Sequence, residues 1–145
     1  MGYPMAGHLQ RAGHDVRVFN RSPNKALRWT AEYGGATADT PADAACGSEM
    51  VCLCVGNDDD VRGVALGRDG ALAALSAGAL LVDHTTASAE LARELHTEAA
   101  RSGVGFLDAP VSGGQAGAEN GALTIMVGGE SADFDRAQPL LATYA

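Results

Sequence analysis

Two uninterrupted apolar runs of strand length, Met50-Val-Cys-Leu-Cys-Val55 and Ala79-Leu-Leu-Val82 followed by Asp83, constrain this chain more than any other feature. A strand that is apolar at every position cannot present one face to water, so each run needs cover on both sides. That is the environment of a parallel strand between two helical layers.

The rest of the chain supplies the layers. Met5, Ala6, Leu9 and Ala12 recur at helical spacing before Gly13, which predicts a helix over 3–12, and Asp15 to Phe19 then alternates like a strand. Ser22 and Pro23 suit the first positions of a second helix that stops at Gly34-Gly35, and residues 40–45 give one further helical turn. Residues 58–66 and 69–76 read as helical between the two apolar runs. Ser88 can cap a long helix through Leu91, Leu95 and Ala99 to Gly103, which feeds a strand over Val104 to Leu107. Beyond a glycine-rich loop, a strand is expected over Ala122–Val127 and a helix over Ala132–Leu141, bent or cut short by Pro139. This alternation predicts an α/β, Rossmann-like, doubly wound and mostly parallel sheet in one domain, residues 1–145. Such a sheet should open on a buried strand, yet the chain opens on Met1-Gly2 at the mouth of a helix, so the first strand is expected to be missing.

Charge narrows the partners. With a formal net charge of −8, a single lysine (Lys25) and scattered arginines, no basic stripe is available for nucleic acid or an anionic membrane surface. Cys46, Cys52 and Cys54 are an odd, sparse set without zinc-ligand spacing, and no signal peptide is legible, which fits a reducing, cytoplasmic setting.

In open parallel sheets ligands bind beyond the carboxyl ends of the strands. Five such places carry candidate residues. Gly2, with Ala6 four residues on, is what a G-x-G-x-x-G turn leaves when only its last glycine remains. Asn20, Arg21 and Ser22 stand eighteen to twenty residues later, where an NAD-binding domain normally places an acid for the ribose hydroxyls. An amide, a guanidinium and a hydroxyl instead offer donors to a 2′-phosphate, which favours NADP over NAD, although NAD is not excluded. Val55, Gly56 and Asn57 follow the central run, with a glycine that lets the backbone approach a flat ligand. Asp58-Asp59-Asp60 reads as a helix start in preference to a metal site, because successive helical residues point about 100° apart. In Asp83-His-Thr-Thr-Ala-Ser88 the hydroxyls serve turns and a cap, and His84 is a minor candidate for a general base. Last comes Asp108-Ala-Pro-Val-Ser-Gly-Gly114, a loop whose backbone N–H groups suit a carboxylate, with Ser112, Gly113 and Gly114 at its centre.

Taken together, Met1-Gly-Tyr-Pro-Met-Ala6, Val18-Phe-Asn-Arg-Ser22, Val82-Asp-His-Thr-Thr-Ala-Ser88, Asp108-Ala-Pro-Val-Ser-Gly-Gly114 and Leu123-Thr-Ile-Met-Val-Gly-Gly129 resemble the 3-hydroxyisobutyrate dehydrogenase family of β-hydroxyacid dehydrogenases, which includes glyoxylate and tartronate semialdehyde reductases. The resemblance implies that Met1 lies at the pyrophosphate, that Asn20, Arg21 and Ser22 meet the adenosine end, and that Thr86 lies against the cofactor. It also implies that Ser112, Gly113 and Gly114 hold a small carboxylate substrate. The implied reaction is hydride transfer between NADP(H) and a 2- or 3-hydroxyacid or its semialdehyde or keto acid. The family's lysine acid–base group and its all-helical, dimer-forming C-terminal domain would lie beyond Ala145, so no catalytic residue is expected within these residues, the chain alone is expected to be inactive, and the parent protein is expected to be a homo-oligomer. Cys54-Val-Gly-Asn57 departs from the family's usual Leu-Pro, and His84 stands where a small residue is common. Rival readings are a non-catalytic NADP-binding module and a relative of the imine reductases or 6-phosphogluconate dehydrogenases.

Overall fold

The computed structural model describes residues 1–145. The two apolar runs form β3 (Met50–Leu53) and β4 (Leu80–Asp83), paired in parallel with Met50 opposite Leu80, and β4 pairs in parallel with β5 (Gly105–Asp108). β3 ends two residues short of its apolar run, where the chain turns into the loop that follows, whereas β4 begins one residue after the start of its run and ends on Asp83. Every residue of β4 is buried, as an apolar strand between two layers requires.

Alternation along β4 divides the core in two. Leu81 faces a cluster with Leu53 and Phe106, roofed by α4 (Asp58–Leu66), α5 (Ala71–Ala74) and α6 (Ala89–Arg101) through Val61, Leu72, Leu91 and Leu95. Leu80 and Val82 face the opposite cluster, where α1 (Gly2–Arg11), α7 (Gly114–Asn120) and α8 (Ser131–Leu141) contribute Met5, Leu9, Ala118, Ala137 and Leu141. This is the doubly wound arrangement read from the sequence.

The sheet is interrupted where a first strand was expected to be missing. β1 (Arg17–Val18) pairs only with β2 (Ala36–Thr37), and β3 occupies the edge of a separate sheet with the order β3-β4-β5-β8. α2 (Pro23–Tyr33) lies between β1 and β2 in sequence and packs on α1, and α3 (Pro41–Ala45) packs on α5.

Three expectations need correction. Residues 122–127 are not one strand: Thr124–Ile125 (β7) pairs antiparallel with Val111–Ser112 (β6), and Gly128–Gly129 (β8) turns back antiparallel onto β5. The glycine-rich stretch is not only a loop, because Gly114–Asn120 is helix α7, ended by Gly121 in the left-handed region. Pro139 lies inside α8 without ending it. Smaller differences trim the Asp15–Phe19 strand to β1 and the 69–76 helix to α5.

Candidate functional site

The carboxyl ends of β3, β4 and β5 are stitched together by short hydrogen bonds. The His84 N–H donates to the Leu53 carbonyl at 2.8 Å, and the Ala109 N–H donates to the Asp83 carbonyl at 2.8 Å. The Thr85 hydroxyl accepts from the Val55 N–H at 3.1 Å, while its own N–H donates to the Asp83 carboxylate at 2.9 Å. Asp83 is buried, and desolvation raises its carboxyl above the ordinary range against the pull of these bonds.

Above this stitched edge opens a cleft of about 500 Å³ lined by Met1, Val55, Gly56, Thr86 and the Ser112-Gly113-Gly114 turn. Seven of the candidate residues are therefore brought to one place from four distant parts of the chain. Cys54, His84, Thr85 and Val111 also line the cleft. Cys54 was not legible as a wall residue, since its apolar neighbours fit a core strand equally well. A Cβ on Gly2 would stand 3.2 Å from the Cys54 Cβ, so a side chain on Gly2 would need this wall to give by a few tenths of an ångström.

Gly2, Asn57, Asn20, Arg21 and Ser22 are not in the cleft wall. Asn57 caps α4 through its side chain, which accepts from the Asp60 N–H at 2.9 Å. Asp60 links this helix to the second group: Arg21 lies 3.6 Å from its carboxylate, and a Cβ on Gly56 would meet the same carboxylate at 2.7 Å. Arg21 thus stands one side chain away from the cleft, beyond Gly56. Its side chain is 89% exposed, and the Asn20 amide donates to the Ser22 carbonyl. Ser22 occupies the N-cap of α2 but makes no side-chain cap bond.

The acidic run is accounted for by helix chemistry. Asp58, Asp59 and Asp60 form the first turn of α4; Asp58 accepts from both the N–H and the hydroxyl of Ser88, which hold its carboxyl below the ordinary range. Asp59 pairs with Arg62. No group of three potential metal ligands converges anywhere in the structure.

His84 is unsuited to the general-base role considered for it. The residue is 2% exposed, and both ring nitrogens are engaged, Nδ1 with the Ala109 carbonyl and Nε2 with the Tyr144 hydroxyl, each at 2.8 Å.

The donor set fits a dinucleotide. Helix α1 begins at the cleft with Met1 as its N-cap, no side-chain cap and no acid in its first turn, which leaves amide donors and the positive end of the dipole for a phosphate. A helix N-terminus beside a glycine that follows a parallel strand, at the carboxyl edge of a doubly wound sheet, defines the class of dinucleotide-binding α/β domains. Residues 1–145 match the family described as the NAD binding domain of 6-phosphogluconate dehydrogenase, and the chain belongs to that family.

Its relatives agree. The chain is 58% identical over 145 residues to an uncharacterized oxidoreductase of Shewanella frigidimarina, covering 100% of this chain and 50% of that protein. Among solved structures it is similar to the 3-hydroxyisobutyrate dehydrogenase of Mycobacterium tuberculosis with L-serine, at a TM-score of 0.92 and 37% identity, covering 100% of this chain and 48% of that one. It is also similar to a structure described as Psf3 in complex with NADP+ and 2-OPP, at a TM-score of 0.93 and 29% identity, covering 100% and 51%. The chain spans about half the length of the relatives it matches. No helix is long and apolar enough to cross a membrane.

Proposed function

We propose that these residues form the nucleotide-binding half of an NADP(H)-linked dehydrogenase or reductase of small 2- or 3-hydroxyacids. One observation carries the reading: the Ser112-Gly113-Gly114 turn shares a single cleft with Met1, Val55, Gly56 and Thr86, so a carboxylate held at the turn would lie beside a nucleotide held at the strand ends. The cofactor, when bound, supplies the hydride.

The chain's own residues bind and orient. Met1 and the first amides of α1 would meet the pyrophosphate, and Val55, Gly56 and Thr86 would line the path of the nicotinamide half. Gly113, with φ +133°, turns the backbone at the start of α7 so that Ser112 and Gly114 stand at the cleft rim. Asn20, Arg21 and Ser22 would serve the adenosine end, while Gly2 would go with Met1 at the pyrophosphate and Asn57 with Val55 and Gly56 along the nucleotide. The exposed Arg21–Asp60 pair contributes at most about 1 kcal/mol, so Arg21 is free to turn to a 2′-phosphate. An acid–base lysine is proposed beyond Ala145, in a parent protein that works as a cytoplasmic homo-oligomer with no nucleic-acid or membrane partner; residues 1–145 alone would not turn over.

The test titrates NADPH and NADH against the parent protein and its Arg21→Ala variant while small semialdehydes and keto acids are assayed. The substitution is expected to weaken NADPH by about 1.5–3 kcal/mol, the value of a charge-assisted contact, and to leave NADH within about twofold. Equal losses for both nucleotides would remove the preference for NADP. If neither nucleotide binds, the chain is a domain that has kept the fold without the chemistry.

A further inference from the structure

The cleft floor holds a buried polar chain that the nucleotide and carboxylate contacts leave unexplained. The Ala109 carbonyl can only accept, so the His84 Nδ1 at 2.8 Å carries the ring hydrogen. In the neutral ring Nε2 is then an acceptor, and the Tyr144 hydroxyl at 2.8 Å donates to it. Tyr144 is fully buried, its ring stacked edge-on against His84 with centroids 5.5 Å apart, and burial raises its hydroxyl well above the ordinary tyrosine range, so it keeps its proton. The Leu123 N–H donates to the Tyr144 carbonyl, which fixes the tyrosine beside the residue that precedes β7. One histidine therefore ties the end of β4 to the segment that leads from β5 into β6, and through Tyr144 to the chain leaving α8.

The position of this tie is informative. His84 immediately precedes Thr85, which holds the Val55 N–H, and Thr86, which faces the cleft. Ala109 is fully buried and lies three residues before Ser112, on the segment that delivers the Ser112-Gly113-Gly114 turn. The two halves of the cleft thus meet through the His84 ring.

We propose that His84 is a positioning residue, held as the Nδ1–H tautomer between Ala109 and Tyr144, that sets the Ala109–Gly114 segment in register with the Thr85–Thr86 strand end and so places the carboxylate of a small hydroxyacid against the nucleotide. The proposal rests on the hydroxyacid reading above. His84 touches neither the reacting atoms nor a proton in transit; it acts through the segment it holds.

The role has a pH signature. The titratable groups on the same side of the sheet as His84 are Tyr144, whose hydroxyl meets Nε2, with Cys52 on β3 and Cys54 just beyond it, whereas Asp83 and Asp108, opposite each other on β4 and β5, alternate to the other face. Burial pushes the imidazole below the ordinary histidine range, against the opposing pull of the Ala109 carbonyl. Protonation in acid would make Nε2 a donor, and the Tyr144 hydroxyl would have to swing its own hydrogen out of this bond, towards Cys52. The register is therefore complete above the ordinary histidine range and is lost as pH falls through the lowered value of the folded protein. Removing the Tyr144 hydroxyl removes a bond that favours the neutral ring, so the acid limb moves to higher pH.

The experiment uses the parent protein with saturating nucleotide, as wild type and as Tyr144→Phe, His84→Asn and His84→Leu. The hydroxyacid KM is expected to rise about threefold to tenfold in Tyr144→Phe, as the loss of one buried hydrogen bond implies. The kcat and the nucleotide Kd should stay within about twofold, and the acid limb of kcat/KM should shift upward. Asparagine keeps a donor for Ala109, so His84→Asn is expected to resemble Tyr144→Phe, whereas His84→Leu should raise KM further. Nitrogen NMR of the wild-type ring should show Nδ1 protonated and Nε2 bare at neutral pH. An Nε2–H or charged ring at neutral pH overturns the proposal, as does an unchanged KM and acid limb in Tyr144→Phe, or a parallel loss of nucleotide affinity. If the wild type turns over no hydroxyacid, the functional reading falls and this proposal with it, an outcome distinct from a wild type that works and a tyrosine variant that works equally well.

Discussion

Replacing Gly113 by alanine is expected to raise the KM for a small hydroxyacid by about tenfold to a hundredfold, matching the 1–3 kcal/mol of a strained backbone position, with nucleotide affinity held within about twofold. Gly113 has φ +133° and ψ −8°, a conformation that residues with a Cβ rarely adopt, and a Cβ there would lie 3.2 Å from the Leu123 Cδ2. Relief of either conflict moves the start of α7 and with it the rim of the cleft. Gly114 supplies the internal comparison. Its φ of +65° lies in the left-handed region, but a Cβ there meets nothing within 4 Å, so Gly114→Ala should cost less, about 1–2 kcal/mol. Steady-state kinetics on both variants, with nucleotide binding followed by fluorescence, checks the ranking. Equal effects of the two substitutions, or a fall in nucleotide affinity alone, would separate this turn from the carboxylate.

How much of this site was legible depended on whether the signal was local. The spans of β3 and β4 follow largely from continuous apolar runs, and the start of α4 follows from the three acids of its first turn, features contained within a few residues. Helix α6 begins where Ser88 predicted it, with the serine hydroxyl accepting from the Leu91 N–H at 3.1 Å. Helix α7 was hidden because Gly-Gln-Ala-Gly-Ala-Glu-Asn has the composition of a loop. It is helical in this setting because Ala118 is buried against α1 and the His8 Nε2 reaches the carbonyls of Ala118 and Glu119 from more than 100 residues away. Two-residue ladders such as Val111–Ser112 against Thr124–Ile125 likewise have no periodicity to read.

The cleft shows the same division. Gly56 and the Ser112-Gly113-Gly114 turn could be placed at the cleft because strand ends are where such sheets bind ligands and can be counted along a sequence, whereas Thr86 was singled out only by the family resemblance. The partnership of His84 with Tyr144 could not, because it joins residues sixty apart through a contact that only the packed sheet creates. A histidine at a strand end reads as a base until its two nitrogens are seen to be occupied.

Trp29→Ala should have the largest effect on stability, a loss of about 3–5 kcal/mol. Trp29 is 2% exposed, stacks at 5.6 Å from the Tyr33 ring and donates its indole N–H to the Tyr3 carbonyl at 3.1 Å. Truncation would open a cavity between α1 and α2 and remove the indole bond to the Tyr3 carbonyl in the first turn of α1, so both losses fall on the helix whose N-terminus opens on the cleft. Close packing leaves little room for rearrangement: a Cβ on Gly7 would collide with the Tyr33 ring, and one on Gly35 would stand 2.8 Å from Trp29. Urea unfolding of the parent protein, read together with amide exchange along α1 and α2, gives the cost, and nucleotide titration should show weakened binding. Trp29→Phe keeps most of the volume and loses the indole donor, so it should recover the greater part of the stability. A cost below about 1 kcal/mol for the alanine variant, or full nucleotide affinity once its stability has fallen, would mean that α1 is held at the cleft by β3 and α7 without help from α2.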